Sequence, residues 1–328
     1  MTPEQELTKL RNNRDLSIFD LYSVDQLTIT DLGVIFELAR KFREYKTFKF
    51  SLNKGCSQIN CFFESSTRTL ASFDLAAKNL SMDTTSVGGS SSVNKGESYL
   101  DTAQTLDAYN ARIIVIRSSQ AGVAEVLSQN VGASILNAGD GWHEHPTQAL
   151  LDALTMLDYF ESETLKERTI TIVGDVMHSR VFGSLVRLCN KLGANIRVCC
   201  PITLQPKYLE KFGVEVFTDI EIALKDSDVV YALRMQEERG AKGFIPSLRE
   251  YSKSYGISKT RMPLAKPNAM LMHPGPVIRD IDIHSSLSAV DEQSHILKQV
   301  ENGLAIRKTL LWLLAQRCDG KQKTFIRK

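Results

Sequence analysis

The run Ser65-Ser66-Thr67-Arg68-Thr69 sets hydroxyls around one guanidinium, a set of groups suited to gripping an anion. It follows an apolar stretch and precedes a helical one. Backbone N–H groups at a helix start point outward unpaired, and the helix dipole there favours negative charge. The result is a phosphate cradle without P-loop glycines. On local chemistry alone, an ordinary Ser/Thr cap beside a solvated arginine is the commoner outcome. Arg117 ends an otherwise apolar strand, RIIVIR, which suggests an anion, with an acidic partner as the alternative. His145 lies in GDGWHEHPTQ, a polar turn after a strand, where a histidine alone would more often be a cap or a core-edge residue. Lys95, alone, reads as a surface lysine, and His143 as solvated. In the second half Arg180 and Arg234 follow strand-like runs, and the arginine fork fits carboxylates. A structural salt bridge is the alternative for Arg234, with Glu237, Glu238 and Arg239 close by.

These residues fall between alternating strands and helices, which points to a parallel α/β architecture. Expected strands are 57–64, 112–117, 133–137, 169–174, 196–200, 214–217, 229–233 and 269–272. Leu32, Ile35, Phe36, Ala39 and Phe42 keep helical spacing, with Thr30 as the expected N-cap. Further helices are expected over 70–80, from Pro146 with a stripe of Leu150, Leu154 and Leu157, and from Phe182 to Leu192, closed by Gly193. Residues 252–266, rich in Ser and Lys, read as a mobile loop, and 294–317 as a long closing helix. In parallel sheets ligands bind at the strands' carboxyl ends, so the turns just after each strand carry the information.

A chain of 328 residues exceeds what one core usually serves, so two domains are expected. The expected fold is α/β, with two domains that are each a parallel β-sheet flanked by helices, joined by interdomain helices. The first domain is expected over 1–148, with a terminal helix 294–328 packing back on it, and the second over 149–293. A net charge of +2, from 40 basic and 38 acidic residues, argues against nucleic acid as the main partner. No apolar run reaches the ~20 residues of a membrane helix. The stretch MTPEQELTKLRNNRD lacks the apolar core of a secretory signal, so a cytoplasmic location is expected. The six cysteines form no CxxC pair or zinc spacing and read as reduced, mostly buried hydrophobes; no metal or cofactor is expected. VGDVMHSR lacks the GxGxxG of a dinucleotide site, which disfavours a dinucleotide-binding protein.

FFESSTRT resembles the carbamoyl phosphate signature of the aspartate and ornithine carbamoyltransferases. The resemblance covers nearly the whole chain. Ser91 to Ser98 looks like the family's mobile loop and His145-Pro146-Thr147-Gln148 like its HPxQ motif. Val173-Gly174-Asp175 with Arg180, then Arg234-Met235-Gln236, then His273-Pro274-Gly275-Pro276, appear in family order. The resemblance implies that Ser66, Thr67, Arg68, Thr69 and Arg117 bind phosphate, with Ser91 and Lys95 from the loop. It implies that Thr69, Arg117 and His145 polarise the carbamoyl carbonyl while Gln148 accepts from the carbamoyl NH2. Arg180 would hold an α-carboxylate, and Arg234 and Gln236 a side-chain carboxylate. The Pro274 carbonyl would accept from nitrogen, with Gly275 beside it and Lys95 also reaching the acceptor. Because the family's ornithine branch typically carries an aspartate followed by Ser-Met-Gly, and a His-Cys-Leu-Pro turn, both absent here, the resemblance points to aspartate as acceptor. It further implies pyrimidine biosynthesis and a homotrimer whose loop 91–98 serves the neighbouring subunit's site, with room for regulatory or dihydroorotase-like chains. Departures from the pattern are Ser65 for a proline, Leu70 for an arginine, and Gly275 and Val277 for Leu and Arg, with Arg279 following. A scaffold homologue would be expected to lose Arg68, His145 or Arg234, and all three are present.

Overall fold

A computed structural model describes the backbone of residues 1–12, 14–88, 96–236 and 243–326, and side chains up to residue 317 among these. The chain divides into two compact units, one of Met1–Leu151 with the segment from Glu301 onward, the other of Asp152–Val300.

The first unit begins with α1 (Pro3–Arg11) and α2 (Ile29–Glu44). The N-cap of α2 is Thr28, not Thr30. Thr28 Oγ1 accepts from the Asp31 N–H while Asp31 accepts from the Thr28 N–H, a capping box that starts the helix two residues sooner. The expected stripe of Leu32, Ile35, Phe36, Ala39 and Phe42 is buried. There follow β1 (Ser57–Phe62), α3 (Thr67–Asn79), β2 (Asp83–Gly88), α4 (Tyr99–Asp107), β3 (Ile113–Ser118), α5 (Val123–Ser128), β4 (Ser134–Asp140) and α6 (Pro146–Tyr159). The sheet order is β2-β1-β3-β4, parallel throughout. β2 was not expected: DTTSVG is a polar edge strand with no apolar run, and its place comes from the ladder to β1. Beneath the sheet, Ile59, Ile114, Ile116, Val123, Leu127 and Ile135 form one cluster.

The second unit carries β5 (Thr169–Val173), α7 (Arg180–Lys191), β6 (Asn195–Cys199), β7 (Val214–Phe217), α8 (Ile220–Leu224), β8 (Val229–Ala232), α9 (Leu248–Tyr255) and β9 (Met270–Met272). Its order is β7-β6-β5-β8-β9, again parallel. Leu192 caps α7, and Gly193 follows it with φ +87°, a conformation that favours glycine. Residues 252–266 are not the loose loop expected. They hold the end of α9 and a 3-10 turn, Met262–Leu264, and bury Ile257, Met262 and Ala265 in the core beside Ala232 and Leu271. The Arg261 guanidinium ties the segment together through the carbonyls of Gly256 (2.6 Å) and Lys253 (2.7 Å). The polar composition hid three well-spaced apolar anchors.

The last helix, α10 (Ile296–Ile326), runs past residue 317, where the helical pattern in the sequence ends. Its Trp312 meets Phe42 of α2 edge-on with centroids 5.8 Å apart. The boundaries between units fall inside α6 and α10. No helix among the described residues is long and apolar enough to cross a membrane.

Candidate active site

In each unit the strand order reverses beside the first strand, between β1 and β3 in one and between β5 and β8 in the other. A crevice opens outside the carboxyl ends at such a switch point. The described candidate residues follow the strands at that end of each sheet.

In the first unit β1 runs into Ser65–Thr69, the entry to α3. Ser66 is the N-cap but makes no side-chain cap bond, and the first turn of α3 contains no acidic residue. Thr67 and Arg68 are exposed, Ser66 and Thr69 half-buried. The end of β3 lies alongside, with Arg117 in register with Phe62. Arg117 is buried, and its guanidinium donates to the Ala138 carbonyl (3.1 Å) and to Glu64 (3.2 Å). The acidic partner weighed from the sequence therefore exists, and it holds the side chain beside the Ser65–Thr69 turn.

Beyond β4, the His145 carbonyl accepts from the N–H groups of Gln148 (3.0 Å) and Ala149 (3.3 Å), which starts α6 with Pro146 first. His145 and Gln148 are buried. The preceding turn is pinned from both sides. Buried Glu144 accepts from the Val24 N–H (3.0 Å) and the Ser23 hydroxyl. Asp140 accepts from Asn137, the Gly122 N–H, the Glu144 N–H and His143 Nδ1. Burial opposes ionisation of Asp140, yet the bonds from His143, Asn137 and Gly122 outweigh it and hold its carboxyl below the ordinary value. His143 is thus paired with Asp140 at 3.1 Å rather than simply solvated as expected. Ser66, Thr67, Arg68, Thr69, Arg117, His145 and Gln148 accordingly follow three neighbouring strands at one end of one sheet. Ser91 and Lys95, expected to join them, lie outside the described residues.

In the second unit Arg180 is the first residue of α7 and only 2 % exposed. Arg234 and Gln236 follow β8, and Arg234 Nη1 lies 3.4 Å from Gln236 Oε1. Pro274 and Gly275 follow β9. Gly275 has φ +67°, a conformation that favours glycine. Arg279 donates to the Leu287 carbonyl within its own loop. Glu237, Glu238 and Arg239 lie outside the described residues.

Sequence reasoning missed the groups that hold these turns. Asp175 accepts from His178 Nδ1 (2.9 Å) and the Gln236 N–H (3.3 Å). Burial pushes the Asp175 carboxyl above its ordinary value, against the pull of His178. Gly174, at φ +131°, lets β5 turn here: a Cβ would stand 3.0 Å from the Leu233 carbonyl and from the Tyr251 hydroxyl. Asp282, nine residues past His273, accepts from His273 Nε2 (3.1 Å) and from the Met235 N–H (3.0 Å).

Burial pushes the Cys61 and Cys199 thiols up to about 12 and raises Cys189 and Cys200 further, which disfavours the thiolate that a nucleophile needs. Among the described residues no group of three or more His, Cys, Asp or Glu side chains could hold a metal ion.

Residues 20–158 match the family described as aspartate/ornithine carbamoyltransferase, carbamoyl-P binding domain, and residues 166–314 match its Asp/Orn binding domain. The chain belongs to the aspartate/ornithine carbamoyltransferase family. Within that family it is similar to the aspartate carbamoyltransferase catalytic subunit of Nitratidesulfovibrio vulgaris, 46% identical over 92% of this chain and 96% of that protein. It is 50% identical to the catalytic subunit of the same name from Brucella anthropi, over 90% of each chain. Among solved structures, the aspartate transcarbamoylase of Trypanosoma cruzi in complex with carbamoyl aspartate and phosphate superposes with a TM-score of 0.77 at 29% identity, covering 89% of this chain and 94% of that one. The Thermus thermophilus ornithine carbamoyltransferase reaches 0.80 at 21% identity, over 90% and 99%, a likeness of fold.

Proposed function

We propose that this carbamoyltransferase-family chain moves the carbamoyl group of carbamoyl phosphate onto the amine of L-aspartate, releasing phosphate and N-carbamoyl-L-aspartate, as a step of de novo pyrimidine biosynthesis. The observation that carries the choice of acceptor is the presence of two arginines after adjacent strands, Arg180 at the start of α7 beyond β5 and Arg234 just past β8. Aspartate has two carboxylates, and a planar guanidinium fork fits each. A cationic acceptor such as ornithine would meet two positive charges there.

The donor half follows from the first unit. Ser66, Thr67, Arg68 and Thr69 bind the phosphate at the start of α3, with Arg117 beside them. Thr69, Arg117 and His145 direct donors at the carbamoyl oxygen, which gains negative charge as the amine attacks. Such prearranged donors are each worth roughly 3–4 kcal/mol of transition-state stabilisation. Gln148 accepts from the carbamoyl NH2. Arg180 holds the α-carboxylate, Arg234 and Gln236 the side-chain carboxylate, and the Pro274 carbonyl, with Gly275 next to it, accepts from nitrogen. The neutral amine attacks the carbonyl carbon, the tetrahedral intermediate collapses, and phosphate leaves with the bonding electrons and takes up the proton that the amine nitrogen gives up. Orientation of the two substrates supplies much of the rate. In this reading the enzyme is a cytoplasmic homotrimer, with Ser91 and Lys95 supplied to a neighbouring subunit's site.

The test is phosphate release from carbamoyl phosphate with L-aspartate and L-ornithine run in parallel. Aspartate-dependent release with carbamoyl-aspartate formed is expected. Release driven by ornithine overturns the acceptor assignment and keeps the donor half; release with neither overturns both.

A further inference from the structure

The acceptor turns after β8 and β9 are separate in sequence, yet one buried carboxylate holds both. Asp282 is 2 % exposed and takes three donors. Its Oδ1 accepts from the Met235 N–H at 3.0 Å, between Arg234 and Gln236. Its Oδ2 accepts from His273 Nε2 at 3.1 Å and from the Ile278 N–H at 3.0 Å. His273 in turn accepts the Gly275 N–H on Nδ1 at 2.7 Å. That acceptance fixes the tautomer: Nδ1 carries no proton, so Nε2 does, and it donates to Asp282. The His273 N–H is held by Gln299 (3.0 Å), whose amide donates to Asp152, itself bonded by the Tyr231 hydroxyl at 2.7 Å.

We propose that Asp282, acting through His273 and the Met235 N–H, is the positioning residue that sets the distance between the Arg234–Gln236 turn and the Pro274–Gly275 turn, and so the affinity for the acceptor amino acid. Asp282 does not touch substrate. The inference rests on the acceptor reading above and goes beyond it. A buried carboxylate facing three N–H donors cannot be replaced by an amide without conflict. In Asp282→Asn one face of the side chain becomes an NH2 pointing at an N–H, whichever way the amide is turned. The strain falls on the two turns, not on the carbamoyl phosphate residues of the other unit.

The experiment compares wild type, Asp282→Asn and Asp282→Glu in the purified full-length enzyme, with KM measured separately for L-aspartate and carbamoyl phosphate. For Asp282→Asn we expect KM for aspartate to rise about tenfold or more, the size of one lost buried hydrogen bond to a charged group. KM for carbamoyl phosphate should stay within about twofold. Asp282→Glu keeps the charge and should recover part of the aspartate affinity. A merely structural role would lower stability and move both constants together or neither, and either result overturns the proposal. If Asp282→Asn does not fold, the ratio of the two constants in Asp282→Glu decides alone: a raised ratio supports positioning, a wild-type ratio overturns it. Failure of the underlying reading is told apart by the wild type, which would then show no aspartate-dependent turnover and take this proposal with it.

Discussion

The strands that open the two sheets, β1 and β5, stand at equivalent switch points and run into helices, yet they deliver their arginines differently. After β1 the Ser65–Thr69 turn is largely open and its cap serine bonds no helix amide, so under the proposed function the Ser66 hydroxyl can turn to a ligand. After β5 the turn is sunk: Asp175 pairs with His178, Ser179 caps α7 and Arg180 is buried. A phosphate is highly charged and can be gripped by many donors with modest demands on angle. Telling a dicarboxylate from other amino acids depends on the spacing of two forks, and spacing needs rigid supports. The same topology thus yields an open turn, the proposed cradle, in one unit and a braced turn, the proposed acceptor pocket, in the other.

The sharpest way to break this comparison is to remove one arginine from each side. Arg68→Ala is expected to lower turnover at least about a thousandfold with an unchanged circular dichroism spectrum, since it deletes charge at the cradle. Turnover near wild type would strip the Ser65–Thr69 turn of its role. Arg234→Ala should raise KM for aspartate about a hundredfold, the loss of a bidentate charged pair, while carbamoyl phosphate binding persists. Unchanged aspartate saturation would take Arg234 out of the pocket.

A smaller contrast lies in acid. Asp140, in the first unit, ionises more readily in the native state than its ordinary 3.8, so it stabilises the fold above that value and the contribution is lost as pH falls below it. Asp175, in the second unit, is raised above 3.8, so its penalty is full at neutral pH and is relieved as pH falls toward 3.8. Asp140→Asn should therefore cost most at neutral pH and least in acid. For Asp175→Asn, wild type should gain on the variant as pH falls from about 7 to about 4. Both tryptophans, Trp142 and Trp312, belong to the first unit, so their fluorescence follows its melting separately. A parallel response of the two variants would show that the carboxylates are not held as described.

The strands of this fold were readable where burial writes itself as an apolar run, as in Ile113–Ile116 or Ile170–Val173, and unreadable where it does not. Asp83–Gly88 is a strand because β1 offers it a ladder, a long-range fact with no local sign. The arginines and hydroxyls proposed to meet substrate announce themselves by standing after strands. Their supports do not. Asp175, Asp282 and Glu144 are charged residues that the sequence cannot tell from solvated ones, and only the fold shows each buried among donors. Thr28 likewise took the cap from Thr30 because Asp31 reaches back to it, a reciprocal bond that spacing alone does not rank.

The smallest expected effect isolates the two helix starts themselves. Ser179 Oγ accepts from the Phe182 N–H at 3.3 Å, so Ser179→Ala should cost about 1 kcal/mol of stability, seen as a lowered Tm. Ser66 occupies the same N-cap position on α3 but bonds no helix amide. Ser66→Ala should leave Tm within about a degree of wild type, since no cap is lost. Its cost should appear as weaker carbamoyl phosphate binding, by roughly fivefold for one hydrogen bond to a charged ligand. If Ser66→Ala instead lowers Tm as much as Ser179→Ala and leaves donor binding alone, both serines are ordinary caps. The open cradle would then be no different in kind from the braced pocket.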